Sequence, residues 1–398
     1  AGLSSSSLIR YLLQYSEEFN WRIRVVDQDV ELAKQKLEGH KNGIALSFNA
    51  IDSVQRKPEI EKSDLVISML PARFHYEVAL DCIELKTNLI TPSYISEEMR
   101  ALDQKAKDAG IVIMNEIGVD PGLDHMSAMK IIHAVQGKGG KITSFKSFCG
   151  GLIAPESDDN PWNYKFTWNP RNVVLAGQGG AASFIRNGQY KYIPYNRLFE
   201  RLDYLSVEGY GDFVGYANRD SLSYRKTYGL EDIQTIFRGT LRRPGYCEAW
   251  NVFIELGMTD DTYKMDIDKN ITPRSLLNAF LPYHPTRSVE EKLKLFLRED
   301  RMHLYHRFEW LGVFENEPLI DFEFPTPAQA LQQILENKLS LNDGDKDMLV
   351  MIHEFEYELG DKKYGISSHM VNIGEDQVYT SMSNTVGLPV AICAKMIL

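Results

Sequence analysis

"AGLSSSSLIRYLLQYSEEFNWRIRVVDQD", residues 1–29, decides the fold. Small residues from Gly2 onward run into a helical apolar pattern, Leu8-Ile9 then Leu12-Leu13, with no strand before them. After the helix comes the β-branched run Ile23-Val25-Val26, ending in Asp27. A glycine-containing turn, a helix, then a strand ending in an acid is the dinucleotide-binding βαβ unit with its first strand missing. The pattern leads us to expect a further strand, and another glycine, upstream of these residues. Gly2 would let the backbone approach a pyrophosphate, and the N–H groups of Leu3, Ser4 and Ser5 at the helix start would donate to it. The third glycine of the usual pattern falls near Ser5, a departure from it. The plainer alternative is a polar cap on an ordinary amphipathic helix.

Asp27 favours the first alternative, since a carboxylate at the end of the second strand can accept from the adenosine ribose hydroxyls and would repel a 2′-phosphate. No arginine follows in "DQDVEL", so the expected cofactor is NAD rather than NADP. The rhythm continues downstream. "GIALSFNAID" reads as a strand, "DLVISMLP" as a buried strand and "HYEVALDCIEL" as a helix. "TNLITPSYIS" is a strand, "SEEMRALDQKAKDAG" a helix capped by Ser96, and "IVIMNEIGVD" a sixth strand. Strands alternating with helices predict a parallel, doubly wound sheet, a Rossmann arrangement of the α/β class. Ligands in such sheets bind at the carboxyl ends of the strands. That places Asn49, Ala50, Ser68, Met69, Leu70, Pro71, Val119 and Asp120 among the expected cofactor contacts.

A net charge of −11 over 398 residues offers no basic face for nucleic acid and leaves small anionic substrates open. The chain is long enough for two or three domains. Cys82, Cys149, Cys247 and Cys393 lie far apart without a CxxC pair. No zinc site is expected, and the setting is expected to be reducing and cytoplasmic. No apolar stretch reaches the roughly 18 residues of a membrane span.

Beyond residue 123 the composition shifts toward aromatics and glycine. "KITSFKSFCGGLIAPESDDNPWNYKFTWNPRNVVLAG" alternates as antiparallel strands do, with a break expected at Gly150-Gly151. "SVEGYGDFVGYANRDSLSYRKTYG" reads as loop-rich, and "TIFRGTLRRPGYCEAWNVFIELG" as a strand running into a helix. Residues 259 to about 350 are helical in pattern, with caps at Thr272-Pro273, Ser288 and Thr326-Pro327. "MIHEFEYELGDKKYGISSHMVN" reads as a half-exposed strand ending in a hairpin, and "VGLPVAICAKMIL" as an apolar helix.

"ISMLP", "TPSYIS", "MNEIGVDPGLDHM", "FCGGLIAPESDDNPWNYKFTW", "YANRDS" and "FRGTLRRPGYCE" resemble, in this order, the motifs of the glutamate-forming saccharopine dehydrogenases, also called saccharopine reductases. The resemblance runs over essentially the whole chain. It implies a Rossmann domain (1–122 and 386–398), a mixed α/β domain for substrate and dimerisation (123–258 and 347–385), and a helical insertion (259–346). It further implies a homodimer in amino-acid (lysine) metabolism. The implied reaction converts saccharopine, with a nicotinamide cofactor and water, into glutamate and 2-aminoadipate 6-semialdehyde, or runs in reverse. Two alternatives remain: a carboxynorspermidine or carboxyspermidine dehydrogenase, and a non-catalytic NAD-binding regulatory protein.

The chemistry asks for an acid/base group of suitable pKa and for arginine forks to grip three carboxylates. The resemblance places Tyr94, Asp120 and Cys149 around the substrate, with Ser93, Gly150, Gly151, Trp168, Arg219 and Arg238 as further contacts. The residues themselves leave Asp120 open to a second reading, as N-cap of a helix with Pro121 at its first position. Cys149 reads equally as a small apolar strand residue. Trp168 reads as core and Arg238 as half of a surface ion pair. Glu116 is set aside, Asp124 and His125 are expected to be solvated or packed in the first helical turn, and Arg242-Arg243 to be solvated.

Overall fold

A computed structural model describes residues 2–266, 270–319 and 325–398; 267–269 and 320–324, part of the expected helical insertion, lie outside the described residues. The chain divides into two compact units, Ala1–His133 with Asn372–Leu398, and Ala134–Val371.

In the first unit each β-branched run becomes a short parallel strand: β1 (Ile23–Asp27), β2 (Gly43–Ser47), β3 (Leu65–Ile67), β4 (Asn88–Ile90) and β5 (Ile113–Met114). The helices between them are α1 (Ser6–Tyr15), α2 (Val30–Leu37), α3 (Ser53–Ile60), α4 (His75–Leu85), α5 (Glu97–Arg100) and α6 (Asp103–Ala109). Short polar residues start three of them. Asp29, Asp52 and Ser96 accept from the backbone N–H of Glu31, Val54 and Met99, which satisfies donors the helix leaves over. The strands form two sheets, β1-β2 and β3-β4-β5. The edges of β1 and β3 flank a cavity of about 960 Å³, lined by Ile23 and Val25 on one side and by Leu65 and Ile67 on the other. No described residue forms the strand expected upstream of α1.

The C-terminal helix Ser381–Ile397 covers α1. Gly387 permits the close approach, since a Cβ there would stand 2.9 Å from the Leu8 nitrogen. Ser7 fastens the pair, its N–H donating to Ser383 Oγ at 2.9 Å and its hydroxyl to Asn384 Oδ1 at 2.6 Å. Leu8, Leu12, Ile90, Val390 and Ala391 fill the core beneath.

The second unit is built on an eight-stranded mixed sheet. Its strands are β6 (Lys141–Ile153), β7 (Ala182–Arg186), β8 (Gln189–Ile193), β9 (Leu202–Val207), β10 (Gly211–Ala217), β11 (Thr235–Arg242), β12 (Asp347–Leu359) and β13 (Lys362–Ile373). The main order is β13-β12-β6-β11-β10-β9, with β6 and β11 parallel. The expected break at Gly150-Gly151 does not occur. β6 runs straight through, because Gly150 lets β11 pack against it: a Cβ there would lie 2.7 Å from both Cβ and the carbonyl oxygen of Leu241. The stretch read as loop-rich, "SVEGYGDFVGYA", contains most of the antiparallel pair β9–β10. β12 is buried along its first seven residues and only its far end is partly exposed, because it is an interior strand of the sheet. The expected caps at Thr272, Ser288 and Thr326 are each present as full capping boxes.

Candidate active-site region

Within each of the two sheets of the first unit the strands are parallel, so in each sheet the carboxyl ends and the loops that follow share one side. The cavity beside β1 and β3 reaches these ends, where Gly2, Ser5, Asp27, Asn49, Ala50 and Ser68 through Pro71 line it. Around Gly2 there is open space, for a Cβ would meet nothing within 4 Å. Leu3 is exposed, Ser4 partly exposed and Ser5 buried, with the Ser5 hydroxyl donating to the Gly2 carbonyl at 2.8 Å. Asp27 Oδ1 accepts from the Asp29 N–H at 3.0 Å. Asn49 Oδ1 accepts from the Ile51 N–H at 3.2 Å. Buried Arg56 fixes this loop, donating to the Ala50 carbonyl at 2.7 Å while its Nε meets Asp81 Oδ2 at 2.8 Å. These features suit a dinucleotide: a crevice at strand ends, an open glycine backbone and a hydroxyl at Ser68.

The ends of β3 and β4 are joined by His75, the first residue of α4. Its Nδ1 lies 2.9 Å from Ser68 Oγ, and its Nε2 lies 2.9 Å from both Thr91 Oγ1 and Ser93 Oγ. The ring is 2% exposed, and burial pushes its pKa down to about 4. It is therefore neutral at physiological pH. Nothing in the sequence marks this role.

Tyr94 and Asp120 meet directly, the phenol donating to Asp120 Oδ1 at 2.7 Å. Asp120 is not the N-cap that the sequence suggests. The helix α7 (Leu123–Gln136) begins three residues later, because Pro121 and Gly122 fold into a turn against Gly118 and Val119. Val119 is buried, and its carbonyl accepts from the Asp124 N–H at 3.0 Å. Asp124 takes the cap's work instead, accepting from the N–H groups of Gly122 and His125 at 2.7 and 2.8 Å. Its 2% exposure excludes a solvated position. Glu116, set aside on sequence grounds, ties two strand-end loops together: Oε1 accepts from the Ile95 N–H at 3.0 Å and Oε2 lies 3.2 Å from His125 Nε2.

In the second unit the period of two decides which side chains share a face. Arg238 is opposite Ser147 and Thr240 opposite Cys149 across β11 and β6, while Cys149 is opposite Met351 across β6 and β12. Ser147, Cys149, Arg238, Thr240 and Arg242 therefore lie on one side of the sheet. Gly150, one residue out of phase with Cys149, meets Leu241 on the other, so a packing role accounts for it; Gly151 is partly exposed. Arg238 is buried at 4% exposure, with its guanidinium 4.4 Å above the Tyr224 ring, so the surface ion pair is excluded. Arg242 is not solvated either. It is 4% exposed, its guanidinium 5.1, 5.2 and 5.8 Å from the rings of Tyr164, Tyr246 and Tyr216. The signal was present, since Arg238 and Arg242 are four residues apart in a strand. Arg219 is exposed with a left-handed backbone (φ 45°), and its carbonyl accepts from the Ser183 N–H at 2.9 Å. Trp168 is partly exposed. Among the described residues no group of three or more histidine, cysteine or acidic side chains could hold a metal, and no helix is long and apolar enough to cross a membrane.

Two family models match end to end, a saccharopine dehydrogenase NADP binding domain over residues 1–114 and a saccharopine dehydrogenase C-terminal domain over 118–398. The chain belongs to the saccharopine dehydrogenase family. Among its relatives is the saccharopine dehydrogenase [NADP(+), L-glutamate-forming] of Pyricularia oryzae, 32% identical, with 100% of this chain and 90% of that protein covered. The Saccharomyces cerevisiae protein of the same name is 36% identical over 89% of this chain and 80% of its own length. The solved apo structure of the yeast enzyme superposes with a TM-score of 0.89 at 31% identity, covering 100% of this chain and 89% of that one.

The family match corrects the cofactor expectation. The matched domain is described as NADP binding and the fungal relatives carry NADP(+) in their names, which overturns NAD. The inference from Asp27 fails for a physical reason: one carboxylate oxygen closes the turn to Asp29, a local job that aspartate does at turns generally, so its presence does not by itself exclude a 2′-phosphate. Within "GGLIAPESDDNPWNYKFTW" two residues have packing roles. Trp162 is fully buried and stacks on Phe253, and buried Lys165 pairs with Asp345 at 2.7 Å and Asp159 at 2.9 Å.

Proposed function

We propose that this protein catalyses the NADP-dependent oxidation of saccharopine to L-glutamate and 2-aminoadipate 6-semialdehyde, or the reverse reductive condensation. The products dictate the chemistry. Glutamate keeps the nitrogen, so the carbon oxidised is the methylene beside nitrogen in the aminoadipate portion; the resulting imine adds water and the C–N bond breaks. NADP⁺, when bound, supplies the hydride acceptor. Gly2, Leu3, Ser4, Ser5, Asn49, Ala50, Ser68–Pro71 and Val119 would hold it.

The observation that carries this reading is the Tyr94–Asp120 hydrogen bond at the carboxyl end of the parallel strands. A carboxylate that accepts a phenolic hydrogen has lone pairs left with which to take the proton of the substrate ammonium, and later to return one to the departing amine. In the second unit Arg238 and Arg242, on one sheet face, and Arg219 are the donors for substrate carboxylates, and Cys149 is a neighbour of Thr240 on that face. Covalent chemistry at Cys149 is not required by this reaction.

The test is direct. Purified protein given saccharopine and NADP⁺ should form reduced nicotinamide and release glutamate in equal amounts. Turnover of a carboxyspermidine but not of saccharopine would replace the substrate. Binding of NADPH without turnover of either would favour a regulatory protein.

A further inference from the structure

Three hydroxyls and one imidazole at the ends of β3 and β4 form a closed hydrogen-bond problem with few solutions. His75 Nδ1 faces Ser68, and Nε2 faces Thr91 and Ser93, each at 2.9 Å. A neutral imidazole carries one hydrogen, so one nitrogen donates and the other accepts. Thr91 decides which. It is fully buried at 0% exposure, and its oxygen already accepts from the Ser93 N–H at 3.3 Å. The Thr91 hydroxyl hydrogen has His75 Nε2 as its acceptor. If Nε2 were the protonated nitrogen, that hydrogen would be stranded in the interior without an acceptor, which a buried hydroxyl does not tolerate cheaply. Nε2 therefore accepts and Nδ1–H donates to Ser68. Ser68 lines the cavity at the strand ends, where its own hydrogen can turn toward a ligand.

We propose that His75 is a positioning residue that, as the Nδ1–H tautomer, makes Ser68 a hydrogen-bond donor to the bound dinucleotide. This rests on the reading that NADP(H) occupies these strand ends. The anionic oxygens of a dinucleotide can only accept hydrogen bonds, so a serine whose hydrogen is spent on His75 would present lone pairs to them and repel. With Nδ1–H supplying the hydrogen to Ser68, the serine presents its own hydrogen instead. The same ring fixes the distance between the loops after β3 and β4, because it touches both.

Two measurements test this. Long-range nitrogen–proton NMR of the ¹⁵N-histidine-labelled protein without cofactor should show His75 as the Nδ1–H tautomer at neutral pH; the Nε2–H tautomer overturns the proposal. NADPH binding, followed by its fluorescence, should weaken about fivefold in Ser68→Ala, the loss of roughly one hydrogen bond. His75→Leu should weaken it similarly, and the double variant no more than either alone. His75→Asn, whose amide nitrogen can replace Nδ1–H, should bind within about twofold of the wild type. Unchanged binding in His75→Leu, or losses that add in the double variant, overturn the proposal. A wild-type protein that fails to bind NADPH overturns the dinucleotide reading itself, a result the tautomer measurement does not depend on.

Discussion

The Tyr94 phenol donates to Asp120 across 2.7 Å, linking the loop after β4 to the loop after β5. The contact fixes the direction of one carboxylate oxygen and leaves further lone pairs on the group with which to accept a proton. Removing it in Tyr94→Phe leaves the carboxylate in place but less well oriented. The expected result is a fall in kcat of about ten- to a hundredfold, matching the roughly 1.5–3 kcal/mol of a charge-assisted hydrogen bond, with NADPH affinity unchanged. Asp120→Asn should cost more, about a hundredfold or above, as loss of a general acid/base does. Steady-state kinetics alongside NADPH titration separates the two quantities. A Tyr94→Phe enzyme with full kcat would mean that the pair is merely structural.

His75 makes the first unit sensitive to acid. Its folded pKa, pushed down to about 4 from 6.5 by burial, lies below the unfolded value. Above about pH 6.5 both states are neutral at this position and the histidine costs nothing. As pH falls from there to about 4 the unfolded chain binds a proton that the folded ring refuses, and stability drops by on the order of 2–3 kcal/mol in total. Below pH 4 this loss levels off. Urea unfolding at several pH values from 7 to 4 should show a shallower decline in His75→Asn than in the wild type. Parallel curves would show that His75 does not titrate in this way.

Much of the first unit was legible because its signals are local. β-branched runs and alternating spacing place β1 to β4, and helical patterning places α1, α4 and the Ser96-capped segment, while α2 and α3, each capped by an aspartate, went unread. The turn at Pro121-Gly122 was misread because Asp-Pro-Gly-Leu-Asp is compatible with a helix starting at either Asp120 or Gly122, and only packing against Gly118 chooses between them. The neighbours of His75 come from two separate strand ends, Ser68 after β3 and Thr91 and Ser93 after β4, and no periodicity reports such a meeting. In the second unit β6 was expected to break at its glycines because propensity says nothing about what lies across the sheet; Leu241 is what makes Gly150 a strand residue. Asp27 shows a different limit: its residue type was read correctly, but its local hydrogen bond was not visible.

Gly150 also yields a prediction that separates packing from substrate contact. A methyl group added there would stand 2.7 Å from the Leu241 carbonyl oxygen, a backbone atom that cannot swing aside. Gly150→Ala should therefore destabilise the protein by about 1–3 kcal/mol, the usual cost of overpacking, and lower the melting temperature. A scan of the wild type and the variant checks this. An unaltered melting temperature with a raised KM for saccharopine would instead place Gly150 against the substrate.

Arg242 makes the sharpest distinction between stability and function. It is a buried cation whose hydrogen bond goes to the Leu241 carbonyl at 2.8 Å, among three tyrosine rings and with its Nε unsatisfied. Cation–π contacts offset part of the desolvation, at about 0.5–2 kcal/mol each, but burying a guanidinium without a carboxylate costs several kcal/mol. Replacing it by methionine, similar in length and apolar, should leave the melting temperature unchanged or raise it. If the guanidinium serves to hold a substrate carboxylate, the same variant should raise the KM for saccharopine at least tenfold, the effect of losing about 1.4 kcal/mol or more of binding, while NADPH affinity stays as in the wild type. A stable Arg242→Met protein with normal KM would remove Arg242 from the substrate site, and a variant that melts earlier would show the cation to be part of the unit's own framework.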